Sequence, residues 1–462
     1  MSYLSRREFL LSAAAAPLAA QKKTAPPKKP HILLVLVEDI GAFQCGCYGQ
    51  REIFTPNIDL LARMGMRFLN AFVATPASSP SRATLFTGRT PAQHGIHDFL
   101  TPNPVADPPQ GQAAPPAWFS EETMIFDLLS QAGYQCGYAG KWHLGEDANP
   151  GHGLSFSYTM PAADMPYRNP TMSRNGKMEN KNGYLTEVIT LGAMEFLDRQ
   201  QDSAPFFLTV SYPNAAEPYE GHPQEFYDRY AKARFEAIGW LPGAPDALRG
   251  KQHMKDPVAS LRKFAASVTA VDAQLKPLLD KLREKRLWTN TLIVFTSVTG
   301  HSLGRHGLWG GGLASNPVNM FDEVMQVPLI ASWPGEIPVQ ASRPDMVSFY
   351  DVLPTLCQAA RVTPPQRNLP GRSFYYQLTR QPLPKDEERW PEEVFGMYRN
   401  AVMSRDNRFK LILRNEGEGP NELYSLRTDP RERRNEFANQ QFVTVRDRHA
   451  ARIKAWTAKH SR

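Results

Sequence analysis

Cysteine is scarce in this chain: four in 462 residues, at Cys45, Cys47, Cys136 and Cys357. Their spacing matches no zinc or redox pattern, which argues against a cysteine metal site and a disulfide scaffold. Such isolated cysteines are expected as buried free thiols. No apolar stretch reaches the roughly 20 residues that a membrane-spanning helix needs. Neither sign of charge dominates, with 53 Lys and Arg against 46 Asp and Glu for a net +7. The basic residues are scattered and no nucleic-acid module is present, so no nucleic-acid partner is expected. No internal repeat is visible, which excludes solenoids and propellers. What the chain has in excess is proline, 40 residues, nearly twice the usual share. With ordinary hydrophobic (42%) and charged (21%) fractions, this predicts long, stiffened loops on a globular frame rather than disorder.

The first thirty residues read as targeting sequence. Ser5-Arg6-Arg7-Glu8-Phe9-Leu10 precedes a short Ala-rich stretch ending at Ala20, the pattern of a twin-arginine export signal over residues 1–20. Residues 21–30 (QKKTAPPKKP) follow as a Pro/Lys linker. The expected location is outside the cytoplasm, periplasmic or extracellular.

Downstream, unbroken apolar runs mark buried parallel strands: His31–Val37, Tyr134–Ala139, Phe206–Ser211, Leu292–Thr296 and Val327–Ser332. Helical periodicity lies between and after them, at 56–65, 121–133, 184–199, 259–286 and 350–360. Alternation at these lengths predicts an α/β fold, a mostly parallel central sheet flanked by helices, over 31–375. From about 376 the pattern changes. Phe409–Leu413 and Glu422–Tyr424 read as a hairpin, and 443–460 as an amphipathic helix. A smaller C-terminal α+β subdomain with an antiparallel sheet is expected over 376–462.

Two places carry candidate chemistry. Glu38 and Asp39 sit at the carboxyl end of the first strand, where open α/β sheets place their ligands. Residues 78–89 read Ser-Ser-Pro-Ser-Arg-Ala-Thr-Leu-Phe-Thr-Gly-Arg, a turn leading into a helix that ends at a glycine. Ser78 then lies at a helix N-terminus, where unpaired N–H groups and the helix dipole favour an anion. Arg82, one turn on, is placed to fix both the turn and a bound oxyanion.

The same twelve residues resemble the activation motif of the type I sulfatases: Cys or Ser, any residue, Pro, Ser, Arg, then a hydrophobic residue and Thr-Gly-Arg. Other segments are similar in the same order: Thr55–Ala62, Gly140-Lys141-Trp142-His143-Leu144-Gly145, His306–Trp309, Val327–Ile330 and Glu422–Tyr424. The resemblance implies that Ser78 is oxidised to formylglycine by a maturation enzyme that accepts serine. It implies a Ca²⁺ or Mg²⁺ ion held by Glu38, Asp39 and Ser78. It also implies catalytic or substrate-binding roles for Arg82, Lys141 and His143 toward a sulfated glycan or another small anion.

The chain departs from that family at the same site. The second ligand pair, Asp-Asn or Asp-His in the family, is Val298-Thr299 here; a valine cannot ligate and a threonine offers only a neutral hydroxyl. Ala216 stands where a cleft histidine is expected, with His222 six residues on. Gly310–Gly312 replaces an expected lysine. His301 is the remaining imidazole near the lost ligands. These losses predict weakened or lost hydrolysis, no tightly held ion, and a residual cleft for anions or sulfated glycans. The alternative is an active serine-type sulfatase using formylglycine at Ser78.

Overall fold

A computed structural model describes residues 28–101, 105–106, 109–201, 203–382, 384 and 389–462. The expected export signal, and all but the end of the expected linker, lie outside the described residues. Sixteen strands are described in chain order: β1 His31–Val37, β2 Met66–Phe72, β3 Val105–Ala106, β4 Pro109–Gln110, β5 Gln135–Gly140 and β6 Phe156–Thr159. They continue as β7 Thr171–Arg174, β8 Lys177–Asn180, β9 Phe206–Ser211, β10 Thr291–Ser297 and β11 Leu329–Ser332. The last are β12 Ala341–Ser348, β13 Glu393–Tyr398, β14 Ala401–Asp406, β15 Phe409–Arg414 and β16 Glu422–Ser425.

Ten of them form one sheet in the order β12-β2-β11-β10-β1-β9-β5-β6-β7-β8. Its centre is parallel, with β1 between β9 and β10 and β5 beyond β9. β11 runs antiparallel to both β10 and β2, so β2 again points with the centre. β1 is buried along its whole length because both faces are covered. Ile32, Leu34 and Leu36 join one apolar core with Phe86 and Phe126. Leu33, Val35 and Val37 join the other with Leu185 and Leu275. An unbroken apolar strand is what such double coverage requires.

The long helix keeps its expected length, but the other helices covering the sheet are shorter than the periodicity alone suggests. The segment at 121–133 is helical over Ile125–Gln131, after a 3₁₀ turn at Ala117–Glu121. The long helix spans Pro257–Glu284, and Asp256 caps it by accepting from the Ala259 N–H.

β13 to β16 form a separate four-stranded antiparallel sheet. The helix Val443–His460 packs on it through Ile453 against Leu411 and Leu423, and Trp456 stacks on Phe395. The fold is thus α/β, a large mixed sheet flanked by helices with a smaller antiparallel sheet after it. No helix among the described residues is long and apolar enough to cross a membrane. All four cysteines are unpaired, three of them buried.

Candidate functional site

The register of the parallel centre sets the site. Leu36 pairs with Ser211, Gly140 with Ser211, and Val37 with Ser297. The residues that follow these strands, Glu38, Lys141, Tyr212 and Val298, therefore leave the sheet at one level. The connection after β2 ends at the same edge, and there the helix Ser78–Thr87 begins. Gly88, at φ +68°, ends that helix by giving its N–H to Thr84, a left-handed position suited to glycine. A cleft of about 520 Å³ opens at this edge, lined among others by Glu38, Asp39, Ser78, Lys141 and Thr299.

Glu38 is the hub of the floor. Its Oε1 accepts from Ser78 Oγ at 2.5 Å and from Arg82 Nη2 at 2.9 Å, and its Oε2 accepts from Lys141 Nζ at 2.7 Å. Burial by itself would raise the Glu38 pKa, but Lys141 and Arg82 outweigh it and hold the carboxyl well below the usual range. Arg82 is fully buried beneath the cleft. It also reaches Ser78 Oγ (3.3 Å), Tyr138 OH (3.3 Å), the Lys141 carbonyl (2.8 Å) and Ser211 Oγ (2.8 Å). Those partners make Arg82 a strut under Ser78 and Glu38. It does not line the cleft.

Asp39 faces the other side, at φ +56°. Thr299 Oγ1 donates to its Oδ1 at 2.7 Å. Burial, then the neighbouring Glu38 charge, push its pKa up to about 7. Val298 turns away from the cleft into the apolar core and is fully buried; its N–H continues the β1 ladder to the Val37 carbonyl.

The structure does not bring His143 to the cleft. At φ +58° its ring swings beneath the Phe99–Leu100 segment. Nε2 lies 2.9 Å from the Leu100 carbonyl and 3.2 Å from Ser79 Oγ, and Phe99 meets the ring edge-on at 4.6 Å. Burial, then Lys141, lower its pKa to about 3, so the imidazole is neutral. The two histidines nearest in sequence to the lost groups are engaged elsewhere. His301 Nε2 lies 3.1 Å from Tyr219 OH, and its Nδ1 accepts from the Leu303 N–H. His222 Nδ1 lies 2.7 Å from Tyr184 OH, with its ring over Tyr167.

Sequence reasoning passed over two cleft residues. Glu217, next to Ala216, lines the wall and pairs with His253 Nε2 at 2.6 Å. Arg249 lines the cleft as well. The only signal available for Glu217 was its place one residue after the expected histidine. At Gly312 a Cβ would meet Pro76 Cβ at 2.3 Å, whereas at Gly311 its nearest neighbours would be 3.5 Å or more away, Asp39 Oδ1 at 3.7 Å among them. The glycine run therefore lets the loop close on Pro76, while position 311 has room for a side chain.

These donors do not fit a divalent ion. Both Glu38 oxygens are taken by hydrogen-bond donors, two of them cationic, and Asp39 is bonded to Thr299. Among the described residues no group of three or more His, Cys, Asp or Glu is placed to hold a metal. Calcium takes six to eight oxygens and magnesium six, waters among them, so the protein's carboxylates must be free to face the ion, and a lysine ammonium on the same carboxylate competes with it directly.

The comparisons with known proteins agree with the fold. The sulfatase family model matches residues 30–362, and a model described as N-sulphoglucosamine sulphohydrolase, C-terminal, matches 316–459. An N-acetylglucosamine-6-O-sulfatase of Bacteroides thetaiotaomicron is 26% identical, covering 94% of this chain and 88% of that protein. Human N-acetylgalactosamine-6-sulfatase is 28% identical over 73% of this chain, which spans only 63% of the human protein's length. A solved structure of a protein in complex with its substrate D-glucosamine-2-N,6-O-disulfate superposes with a TM-score of 0.79 at 22% identity, covering 94% of this chain and 98% of that one. With the family model spanning most of the chain and the sheet order in place, this protein is a member of the sulfatase family.

Proposed function

We propose that this protein binds sulfated saccharides in the cleft above Ser78 with its hydrolytic chemistry weakened or lost. The observation that carries this reading is the state of Glu38, whose two oxygens take Ser78, Arg82 and Lys141. Charge that would serve a divalent ion is spent on two protein cations. Ser78 is not activated as an ordinary hydroxyl either. Its hydrogen-bond acceptor is a carboxylate held well below its usual pKa, which makes a poor general base. Lys141 and Arg249, which line the cleft together with Asp164 and Glu217, supply positive charge for an oxyanion. The whole-length likeness to N-acetylglucosamine-6-O-sulfatase supports a sulfated amino sugar as ligand class.

The reading extends to the twin-arginine segment, which would carry the folded protein out of the cytoplasm, and to a division near residue 375 between the two sheets. The competing reading, an active sulfatase, draws on Ser78 Oγ standing at the first turn of its helix on the cleft floor. Peptide mass spectrometry across Ser78, together with metal analysis, separates the two. The proposed reading expects intact serine, no stoichiometric calcium or magnesium, and calorimetric binding of D-glucosamine-2-N,6-O-disulfate without sulfate release. Loss of two hydrogens at Ser78 with one bound ion per chain overturns it.

A further inference from the structure

Two larger cavities, of about 840 and 800 Å³, touch neither Ser78 nor Glu38 nor Lys141. What a ligand over Ser78 must carry is therefore set by the lining of the cleft itself, and that lining is charged unevenly. At the floor, Lys141 and the start of the Ser78–Thr87 helix favour an anion. The rest of the lining sets Asp39, Asp164 and Glu217 against Arg249. A ligand with one anionic group and one cationic donor matches such a cleft. A second sulfate beside Asp164 and Glu217 meets like charge there.

Glu217 is the carboxylate a ligand can reach. Its side chain is 46% exposed, against 4% for Glu38. Its charge also acts on the interior of the cleft. Burial, then the Glu38 charge, raise the Asp39 pKa, and Glu217 adds to that rise. Burial, then Glu217, raise that of Tyr219. Asp39 and Tyr219 both line the cleft, so the Glu217 carboxylate lies over it rather than away from it.

What holds Glu217 in place is itself braced on every side. His253 Nε2 lies 2.6 Å from Glu217 Oε1, and Nδ1 of the same ring lies 3.2 Å from Ser260 Oγ, near the start of the long helix Pro257–Glu284. The His253 ring stacks on Trp309 at 5.1 Å and meets Tyr219 edge-on at 5.4 Å. Trp309 Nε1 in turn donates to Tyr219 OH at 3.2 Å. Among the described residues nothing bonds Glu217 Oε2. A half-exposed pair of this kind adds little to stability, but it orders an acceptor before the ligand arrives and so lowers the cost of binding.

Resting on the proposed function, we infer that Glu217 reads the nitrogen of a sulfated amino sugar: with the sulfate at Lys141, it accepts from the ammonium of an unsubstituted amine and disfavours an N-sulfate. His253 is the positioning residue. Calorimetric titration of the full chain with D-glucosamine-6-sulfate, N-acetyl-D-glucosamine-6-sulfate and D-glucosamine-2-N,6-O-disulfate tests it. The free amine binds about tenfold more tightly than either of the others, the worth of one charge-assisted hydrogen bond. Glu217→Gln, which keeps the shape and loses the charge, brings the three affinities to within about twofold of one another. His253→Ala releases the carboxylate and loses most of the preference. His253→Gln, whose amide N–H can hold Glu217, restores it, and a general loosening of the fold would not move that ratio. Equal affinities for the three ligands in the wild type, or a preference untouched by Glu217→Gln, overturns the selection and leaves the function of the cleft standing. Tighter binding of the disulfate also overturns it, and means that Arg249 takes the N-sulfate. Failure of all three to bind the wild type overturns the function as well.

Discussion

Two of the buried ion clusters in this molecule differ in one respect: one faces a cavity and the other does not. On the cleft floor, Glu38 takes Arg82 and Lys141. At the contact between the main body and the small sheet, Lys410, fully buried, takes Asp322 at 2.5 Å and Glu432 at 2.6 Å, while Arg405 takes the other Asp322 oxygen at 2.9 Å. The distances are alike and so is the burial. The difference is access: Glu38 and Lys141 line the cleft, whereas none of the cavities described above touches Lys410, Asp322 or Glu432. Buried charge by itself is therefore no mark of a site. In the closed cluster it fixes how β15 meets the short helix at Asp322–Met325; in the open one it leaves a lysine where a ligand can compete for it.

The largest effect that separates the clusters is expected at Lys410. Lys410→Met keeps the aliphatic stem but takes the cation from buried Glu432 and one of two from Asp322, which keeps Arg405, and this costs about 3–5 kcal/mol. Urea denaturation should show that loss as a lowered midpoint. A loss below about 1 kcal/mol would mean that the cluster is hydrated and the contrast with the cleft false.

How much of this was legible beforehand differs between centre and edge. Central strands announce themselves because burial on both faces demands continuous apolar residues, as in His31–Val37. β12 does not. Its sequence, Ala-Ser-Arg-Pro-Asp-Met-Val-Ser, is polar, contains Pro344, and pairs only with β2 at the sheet margin, with a register shift between Arg343 and Met346. The four-residue strands β6 to β8 at the opposite margin are equally mute. At the site, strand ends were enough to bring Glu38, Ser78 and Lys141 together. The direction of the His143 ring was not readable, because it depends on a left-handed φ and on Phe99, far away in sequence. Nor could local pattern reveal the closed cluster, whose members come from three distant segments.

A second way to sharpen the contrast is to give the open site what it lacks. Val298→Asp with Thr299→Asn supplies an amide beside Asp39 and a carboxylate that joins it when calcium draws residue 298 out of the core. Without metal the double variant is destabilised, since an unpaired carboxylate enters the core position of Val298. Calcium at about a hundred times its dissociation constant should return about 2.7 kcal/mol, read as a rise in melting temperature. The wild type is expected to show no calcium-dependent rise; a rise in the wild type would remove the basis for the binding-only reading.

A third buried carboxylate isolates the role of counter-ions. Asp351 is held mainly by the backbone N–H groups of Ser348 and Arg372, and burial pushes its pKa up to about 7. Its folded pKa lies above its unfolded one, so its contribution is fully present below about pH 4 and is lost as pH rises through 7. Between pH 5 and 7 that loss is about 2 kcal/mol at most. Asp351→Asn should flatten the stability profile by this amount whatever its effect on the absolute level. An unchanged slope would show that the N–H groups stabilise the anion better than burial opposes it.

The smallest stability effect is expected where the cleft opens. Lys141→Met removes one cation from buried Glu38, but Arg82 stays on Oε1, so the cost should stay below the roughly 3–5 kcal/mol of a buried carboxylate stripped of its cation. Ligand binding moves further than stability does. With its one cleft-facing lysine gone, the floor loses the charge nearest Ser78, and affinity for D-glucosamine-2-N,6-O-disulfate should fall about tenfold, the worth of one charge-assisted hydrogen bond. Measured side by side with Lys410→Met, the pair of variants inverts the two readouts: much stability and no affinity lost in the closed cluster, little stability and most of the affinity lost in the open one. Should Lys141→Met cost as much stability as Lys410→Met and leave binding intact, the lysine belongs to the framework, and the anion must sit elsewhere in the cleft, against Arg249.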